Sequence, residues 1–377
     1  MFFDNASTTK VDKEIIEKVN ELNDEFYYNP SSLYSAGRRV KKLIEECRGN
    51  ILNCLNAVRG TGLVFTGSAT EANNIALLGS VKKNTKKILV SSVEHPSVYN
   101  TALELKNRGY DVEFLKVNSN GVIDIEYYKS KLSKDVDLIS VMHVNNETGA
   151  VNDIAYLVEL AREINPNVIF HSDGVQAVGK IEVDLDDLGV DLYSMSAHKI
   201  HGFKGVGALY IKNQSKLKPI VFGGGQENNF RSGTENLLGI YSLSKAIENA
   251  VENQIKNYKH ILNLKNNFIN EMALSGLEYV LHSKDKNVPN IISISFKSCR
   301  AETLLNMLSD SKIFVANGSA CSSKKSGNRV LESMGVSLQD IEGNLRISFS
   351  KYNTVDEVNK LVEILKIVVN KYLLNAR

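Results

Sequence analysis

Apolar positions recur at helical spacing near the start of the chain. Val11, Ile15, Val19, Leu22 and Phe26 predict an amphipathic helix over 11–26, and Val40, Leu43, Cys47, Ile51 and Cys54 predict a second. From residue 63 short apolar runs alternate with helical patterns. Leu63-Val64-Phe65-Thr66 precedes a helix over 70–78, and Lys87-Ile88-Leu89-Val90-Ser91 precedes one over 97–107. Further strands are predicted at 112–115, 137–141, 168–171, 190–193 and 207–211. Strands alternating with helices predict an α/β fold with a mostly parallel seven-stranded sheet covered on both faces. In such a sheet ligands bind beyond the carboxyl ends of the strands.

The pattern changes near residue 240. A long helical stretch (Ile247, Val251, Ile255, Tyr258, Leu262) leads to a strand at 290–296, a helix at 301–309, a loop at 316–327, a strand at 345–349 and a helix at 355–374. These elements predict a second, smaller α+β domain. The expected division is 16–250 for the large domain, with 1–15 and 251–377 forming the small one.

Composition narrows the functional classes. Lys and Arg number 45 against 43 Asp and Glu, for a net charge of +2, which argues against capture of nucleic acid by bulk charge. Hydrophobic content of 43% and charged content of 23% fit an ordinary globular protein. No apolar run approaches bilayer length, and the opening Met1-Phe2-Phe3-Asp4-Asn5 has no basic region before an apolar one. The four cysteines (Cys47, Cys54, Cys299, Cys321) show no CxxC pair and no metal-ligand spacing. A reduced, cytoplasmic protein is expected, with no membrane partner and no direct nucleic acid partner.

Several polar clusters follow the strands. Thr66-Gly67-Ser68-Ala69-Thr70-Glu71 lies between a strand and a helix, where free N–H groups attract an anion and where Ser68 or Thr70 could equally be a simple cap. Asp173 follows the strand ending at His171. Ser194-Met195-Ser196-Ala197-His198-Lys199 sets a lysine among small polar residues and histidines; a desolvated lysine can form a Schiff base. Two glycine patterns mislead. Gly174 to Ile181 fits GxxxxGK but ends on Ile181, which cannot ligate Mg²⁺, and Gly202-Phe-Lys-Gly205-Val-Gly207 enters a strand instead of leaving one. Gly223-Gly224-Gly225 and Arg231-Ser232-Gly233-Thr234 form a Gly-rich turn with hydroxyls. Gly318-Ser319-Ala320-Cys321-Ser322-Ser323-Lys324-Lys325 places a cysteine beside cations, which favour the thiolate.

Together these segments resemble the cysteine desulfurases of the class V aminotransferase group, of the iron–sulfur and nitrogenase-associated type. The resemblance runs from Asp4-Asn5-Ala6-Ser7-Thr8-Thr9 to the strand of Arg346. Its most specific pieces are Ser196-Ala-His-Lys199, Met142-His-Val-Asn-Asn146-Glu-Thr-Gly149, Arg231-Ser-Gly-Thr234 and Gly318-Ser-Ala-Cys321-Ser. It implies a fold-type I enzyme dependent on pyridoxal 5'-phosphate, built as a homodimer with shared active sites. It further implies that Lys199 carries the cofactor and moves the Cα proton, that Asp173 pairs with the pyridinium nitrogen, and that His95 stacks on the ring. Asn146 and Gln176 would bond the ring substituents. Ala69, Thr70, Ser196 and His198 would hold the phosphate, with Thr234 reaching in from the partner subunit. Arg346 would take the carboxylate of L-cysteine, assisted by Asn29 and Asn146.

Cys321 would then receive the substrate sulfur as a persulfide and pass it to an acceptor, an iron–sulfur scaffold or a tRNA-thiolation enzyme. The chain ends at Arg377, without the longer tail expected of scaffold-feeding relatives, so either acceptor is compatible. Phe203 and Gly174 depart from the residues usual in the group, outside the reactive set. A selenocysteine lyase or another small-amino-acid transaminase is the alternative within the same chemistry. A phosphate-ligand binding or sulfur-relay module is the alternative outside it.

Overall fold

The computed structural model describes residues 1–284, 286–317 and 328–375. Within them β1 (Gly62–Thr66), β2 (Lys87–Ser91), β3 (Asp111–Leu115), β4 (Val136–Ser140), β5 (Ile169–Asp173), β6 (Leu192–Ser196) and β7 (Gly207–Ile211) form one sheet. Its order is β1-β7-β6-β5-β4-β2-β3. β7 alone is reversed, pairing antiparallel with both β1 and β6, while the remaining neighbours run parallel. Strands β1, β5, β6 and β7 are buried along their whole length, which is why their sequences lack a polar alternation.

Around this sheet lie α1 (Lys13–Glu25), α2 (Ser35–Cys54), α3 (Ala69–Ser80), α4 (Pro96–Asn107), α5 (Ile125–Lys131), α6 (Ile154–Ile164), α7 (Leu185–Leu188) and α8 (Leu237–Glu252), whereas α9 (Gln254–Leu274) turns its buried Ile261, Leu264 and Phe268 to a separate core. One face packs Val64, Val90 and Leu138 against Ala72 and Ile75 of α3 and Ala102 of α4. The other face packs Leu89, Phe170 and Tyr193 against residues of α1, α2, α6 and α8. A third core surrounds a smaller antiparallel sheet of β8 (Tyr279–Leu281), β9 (Ile291–Phe296) and β10 (Asn344–Ser348), in the order β10-β9-β8. Phe268, Ile294, Ile347 and Leu361 lie in it beside Phe3 from the chain's start. Helices α10 (Ala301–Asp310), α11 (Arg329–Ser333), α12 (Leu338–Glu342) and α13 (Val355–Asn375) complete the described chain.

The α/β class and the seven-stranded, mostly parallel sheet agree with the sequence pattern. Three boundaries differ for physical reasons. The helical stretch expected through 247–262 is two helices, because Asn253 leaves helical geometry (φ −100°, ψ 8°) between α8 and α9. The strand expected at 190–193 lies at 192–196, since the Asp191 carboxylate turns to accept from Phe170 N (2.9 Å) and from Arg162 (3.1 Å). The strand expected at 168–171 runs on to Asp173, which puts that carboxylate at the carboxyl end of β5.

Candidate active site

The carboxyl ends of β1, β5 and β6 open into a cavity of about 700 Å³, whose lining includes Thr70, His95, Asp173, Gln176, Lys199 and Arg346. Asp173 is 4% exposed. Its two oxygens accept from Asn73 Nδ2 at 2.8 Å and from Val175 N at 3.0 Å, so the carboxylate is held in one orientation. Lys199 stands in the short 3₁₀ turn Ala197–Lys199 that follows β6. Its Nζ donates to Ala6 O (2.8 Å) and Ser7 O (2.6 Å), carbonyls supplied by the opening segment of the chain.

His95 caps α4, with Pro96 as the first helical residue. Its Nδ1 meets Ser97 Oγ at 2.8 Å and Ser97 N at 3.1 Å. Burial lowers the imidazole's affinity for a proton, opposed by Asp173 and reinforced by Lys199, Arg329 and Arg346. The ring is therefore neutral near pH 7. His198 lies beside Lys199 with Nδ1 3.2 Å from Thr8 Oγ1, and burial pushes it down to about 4.

Ser68 caps α3 by accepting from Glu71 N (3.2 Å), which leaves the N–H groups of Ala69 and Thr70 at the cavity wall. Behind this turn a Cβ on Gly207 would come within 2.7 Å of the Ser68 carbonyl carbon and 2.9 Å of Ala69 N, so β7 must carry glycine there. Ser196 ends β6, and its Oγ is buried without a hydrogen-bond partner.

Gln176 donates to Ala6 O (2.9 Å) and accepts from Lys180 Nζ. Asn146 lines the cavity, and its carbonyl accepts from Arg346 Nη1 at 2.9 Å. Arg346, in the middle of β10, also donates through Nη2 to Asp4 Oδ1 (2.9 Å) and Ser7 Oγ (2.6 Å). Two expected residues lie elsewhere. Asn29 is exposed in a turn, with Oδ1 accepting from Ser31 N (2.8 Å), and it does not line this cavity. Thr234 is exposed and also outside it. Cys321 lies outside the described residues.

The motif reading passed over several groups that the fold brings in. Asn73 sits one helical turn beyond Thr70, a spacing that could have flagged it. Glu147 lines the cavity, and burial raises its carboxyl to about 7 against the pull of Arg346, Asn328 and Arg329. Arg329 donates to the carbonyls of Ser92 and Glu94 and stacks 3.8 Å from the Tyr99 ring, tying α11 to the turn before His95. Gly174 also gains a reason: a Cβ there would lie 2.0 Å from the Tyr193 ring, whose hydroxyl meets His143 Nδ1 at 2.9 Å.

Among the described residues no His, Cys, Asp and Glu group could hold a metal ion. No helix among them is long and apolar enough to cross a membrane. What the cavity offers is an anion site at a helix start, a buried carboxylate, a neutral imidazole, an amine and a guanidinium. That set suits amino-acid chemistry on a phosphorylated organic group.

Comparison with known proteins agrees with this chemistry. Residues 1–361 match the aminotransferase class-V family. The cysteine desulfurase IscS 1 of Archaeoglobus fulgidus is 36% identical over 374 residues, covering 98% of this chain and 97% of that protein. Among solved structures a NifS-like protein superposes with a TM-score of 0.92 at 32% identity, covering 98% of this chain and 99% of that one. SspA in complex with cysteine gives 0.82 at 28% identity over 94% of this chain and 99% of its own. The chain therefore belongs to the class-V aminotransferase family, on the branch of the IscS- and NifS-type cysteine desulfurases.

Proposed function

We propose that the protein is a pyridoxal 5'-phosphate-dependent L-cysteine desulfurase that forms alanine and leaves the sulfur as a persulfide on Cys321. The observation that carries this reading is the convergence of Lys199, Asp173, His95 and Arg346 on one cavity. The residues fit the cofactor. The turn Ser68-Ala69-Thr70 at the head of α3 receives its phosphate, with the unpartnered Ser196 hydroxyl and His198 beside it. Asp173, fixed by Asn73 and Val175, would keep the ring nitrogen protonated, and Gln176 and Asn146, which line the same cavity, would hold the ring substituents. When bound, the cofactor supplies an electron sink for the substrate's Cα.

The chain's own groups do the rest. Arg346 binds the substrate carboxylate. Lys199 carries the cofactor and moves the Cα proton through Nζ. His95 remains neutral, with Nδ1 held by Ser97, and offers its other nitrogen for proton transfer. The Cys321 thiolate attacks the substrate sulfur. The Cβ–S bond breaks, its electron pair passes to carbon, and protonation there yields alanine. A homodimer in the cytoplasm, with Thr234 serving the partner's site, is part of this reading; its support is that Thr234 is exposed and away from its own cavity. The acceptor is a protein thiol, on an iron–sulfur scaffold or a tRNA-thiolation enzyme.

The test is a visible spectrum of the purified protein, then L-cysteine with a thiol reductant and assays for alanine and sulfide. Alanine and sulfide in equal amounts from a yellow protein, both lost in Cys321→Ala, are expected. Alanine formation that survives Cys321→Ala would remove the persulfide role. A protein that stays colourless with added cofactor would remove the Lys199 assignment.

A further inference from the structure

A guanidinium presents five N–H donors, and a carboxylate grips it through two neighbouring ones. Each of the two edges that can do this, Nη1 with Nη2 or Nε with Nη2, includes a hydrogen of Nη2. In Arg346 the Nη2 amine donates to two acceptors, Asp4 Oδ1 at 2.9 Å and Ser7 Oγ at 2.6 Å. One hydrogen of Nη1 goes to Asn146 O at 2.9 Å, while Nε is buried without a partner. Donors remain on Arg346, yet both edges run through Nη2, which already serves two acceptors.

The two acceptors on Nη2 are not equivalent. Ser7 lines the cavity, whereas Asp4 does not. Ser7 also donates its own hydrogen to Asp4 Oδ1 at 2.7 Å, so the serine bridges the carboxylate and the guanidinium. Asp4 brings a full charge to the fork as an ion pair, with Arg346 7% exposed. Ser7 brings only a neutral oxygen. Of the two acceptors on Nη2, Ser7 is the one that faces the cavity, and its bond is the one without a full charge.

We propose that Ser7 sets the enzyme's affinity for its amino-acid substrate by holding, on Arg346, the hydrogen that the substrate carboxylate must take over. Asp4 is the fixed anchor of the fork, and Ser7 is the acceptor that yields. Ser7 is thus a positioning residue that acts through Arg346. The proposal rests on the reading of Arg346 as the carboxylate site.

In Ser7→Ala the Nη2 amine loses its neutral acceptor on the cavity side, and only water replaces it. One neutral acceptor fewer to displace corresponds to roughly three- to tenfold tighter binding. The experiment titrates the cofactor-loaded protein with L-alanine, which has no sulfur to lose, and follows the visible spectrum. L-alaninamide, which lacks the carboxylate, is the control. Ser7→Ala should lower the L-alanine Kd by that factor and leave the L-alaninamide Kd unchanged, and KM for L-cysteine should fall with kcat held. Ser7→Thr, which keeps the hydroxyl, should restore the wild-type Kd. Asp4→Asn should shift L-alanine binding the other way.

An unchanged or weaker L-alanine Kd in Ser7→Ala would overturn the proposal, as would an equal shift for both ligands. The two readings fail separately. If L-cysteine yields no alanine while the Ser7 shift is seen, the desulfurase reading falls and the role of Ser7 stands. If alanine forms normally without the shift, the reverse holds.

Discussion

The pair Arg48–Glu227 offers the sharpest energetic test, because it is buried and it braces the strand that leads into the Ser68 turn at the cavity. The Glu227 side chain is 3% exposed and that of Arg48 13%. The guanidinium donates from Nη1 to Oε2 at 2.8 Å and from Nη2 to Oε1 at 3.0 Å, and it lies 4.7 Å from the Phe65 ring. Phe65 N donates to the same carboxylate at 2.8 Å, so Glu227 clamps β1 just before Gly67. Glu227, Asn228 and Asn229 all have left-handed backbone angles (φ 49°, 56° and 69°), a run that persists because the ion pair over-determines it.

Arg48→Met would leave that carboxylate with a single backbone donor. Removing one member of a buried pair costs about 3–5 kcal/mol. Unfolding entropy of about 2 cal/mol/K per residue amounts to roughly 0.8 kcal/mol/K for a chain of this size, so Tm should fall by about 4–6 °C. Arg48→Met with Glu227→Gln removes both charges while the amide oxygen still accepts from Phe65 N, and should recover most of the loss, to within about 1 kcal/mol. Calorimetry of both variants, with cofactor affinity from absorbance, is the assay. A double variant no more stable than the single one would refute the argument, because it would show that lost packing, and not an uncompensated charge, carries the cost.

Other consequences are equally concrete. Gly174→Ala drives a methyl into the Tyr193 ring and should cost about 1–3 kcal/mol, read from urea unfolding; Tyr193→Leu in the same chain should relieve it. Burial pushes His171 down to about 3 and His143 to about 4. Both take up protons on unfolding below about pH 6.5, so stability is complete above that pH and falls by about 1.4 kcal/mol per pH unit for each ring between roughly pH 4 and 6. Urea unfolding at pH 7 and pH 5.5 checks this, and His171→Gln should reduce the slope by about one proton. Lys199→Ala should remove the visible band of the purified protein while its far-ultraviolet circular dichroism stays that of the wild type; a borohydride-stable adduct persisting in that variant would contradict the assignment.

The sheet was legible in the sequence because its strands are short apolar runs closed by polar clusters, and the same clusters place Asp173 and Lys199 at strand ends. The fork around Arg346 was not. Asp4 and Ser7 lie more than three hundred residues before Arg346 in the chain, and no local pattern announces a contact of that span. Asn73 was obscured because a polar residue amid α3 reads as a solvated face until Asp173 is seen beside it. Lys180 belonged to a glycine motif that fails as a nucleotide loop, and its actual neighbour is the Gln176 side chain. Gly174 looked incidental until the Tyr193 ring filled the space of its missing side chain.

The opening segment, which supplies Ala6 O and Ser7 O to Lys199 and Asp4 to Arg346, has a consequence for biosynthesis. Ala6 N is bound by Ser348 Oγ at 2.8 Å, and Thr9 N by His198 O at 2.9 Å. Residues 4–9 therefore wait during translation for partners made 189 and 342 residues later. The sheet can assemble in order as the chain emerges, but the seat of Lys199 and the fork of Arg346 close only when β10 arrives. A product truncated before β10 could fold its sheet and would still lack the fork of Arg346 and the support it gives the segment that seats Lys199.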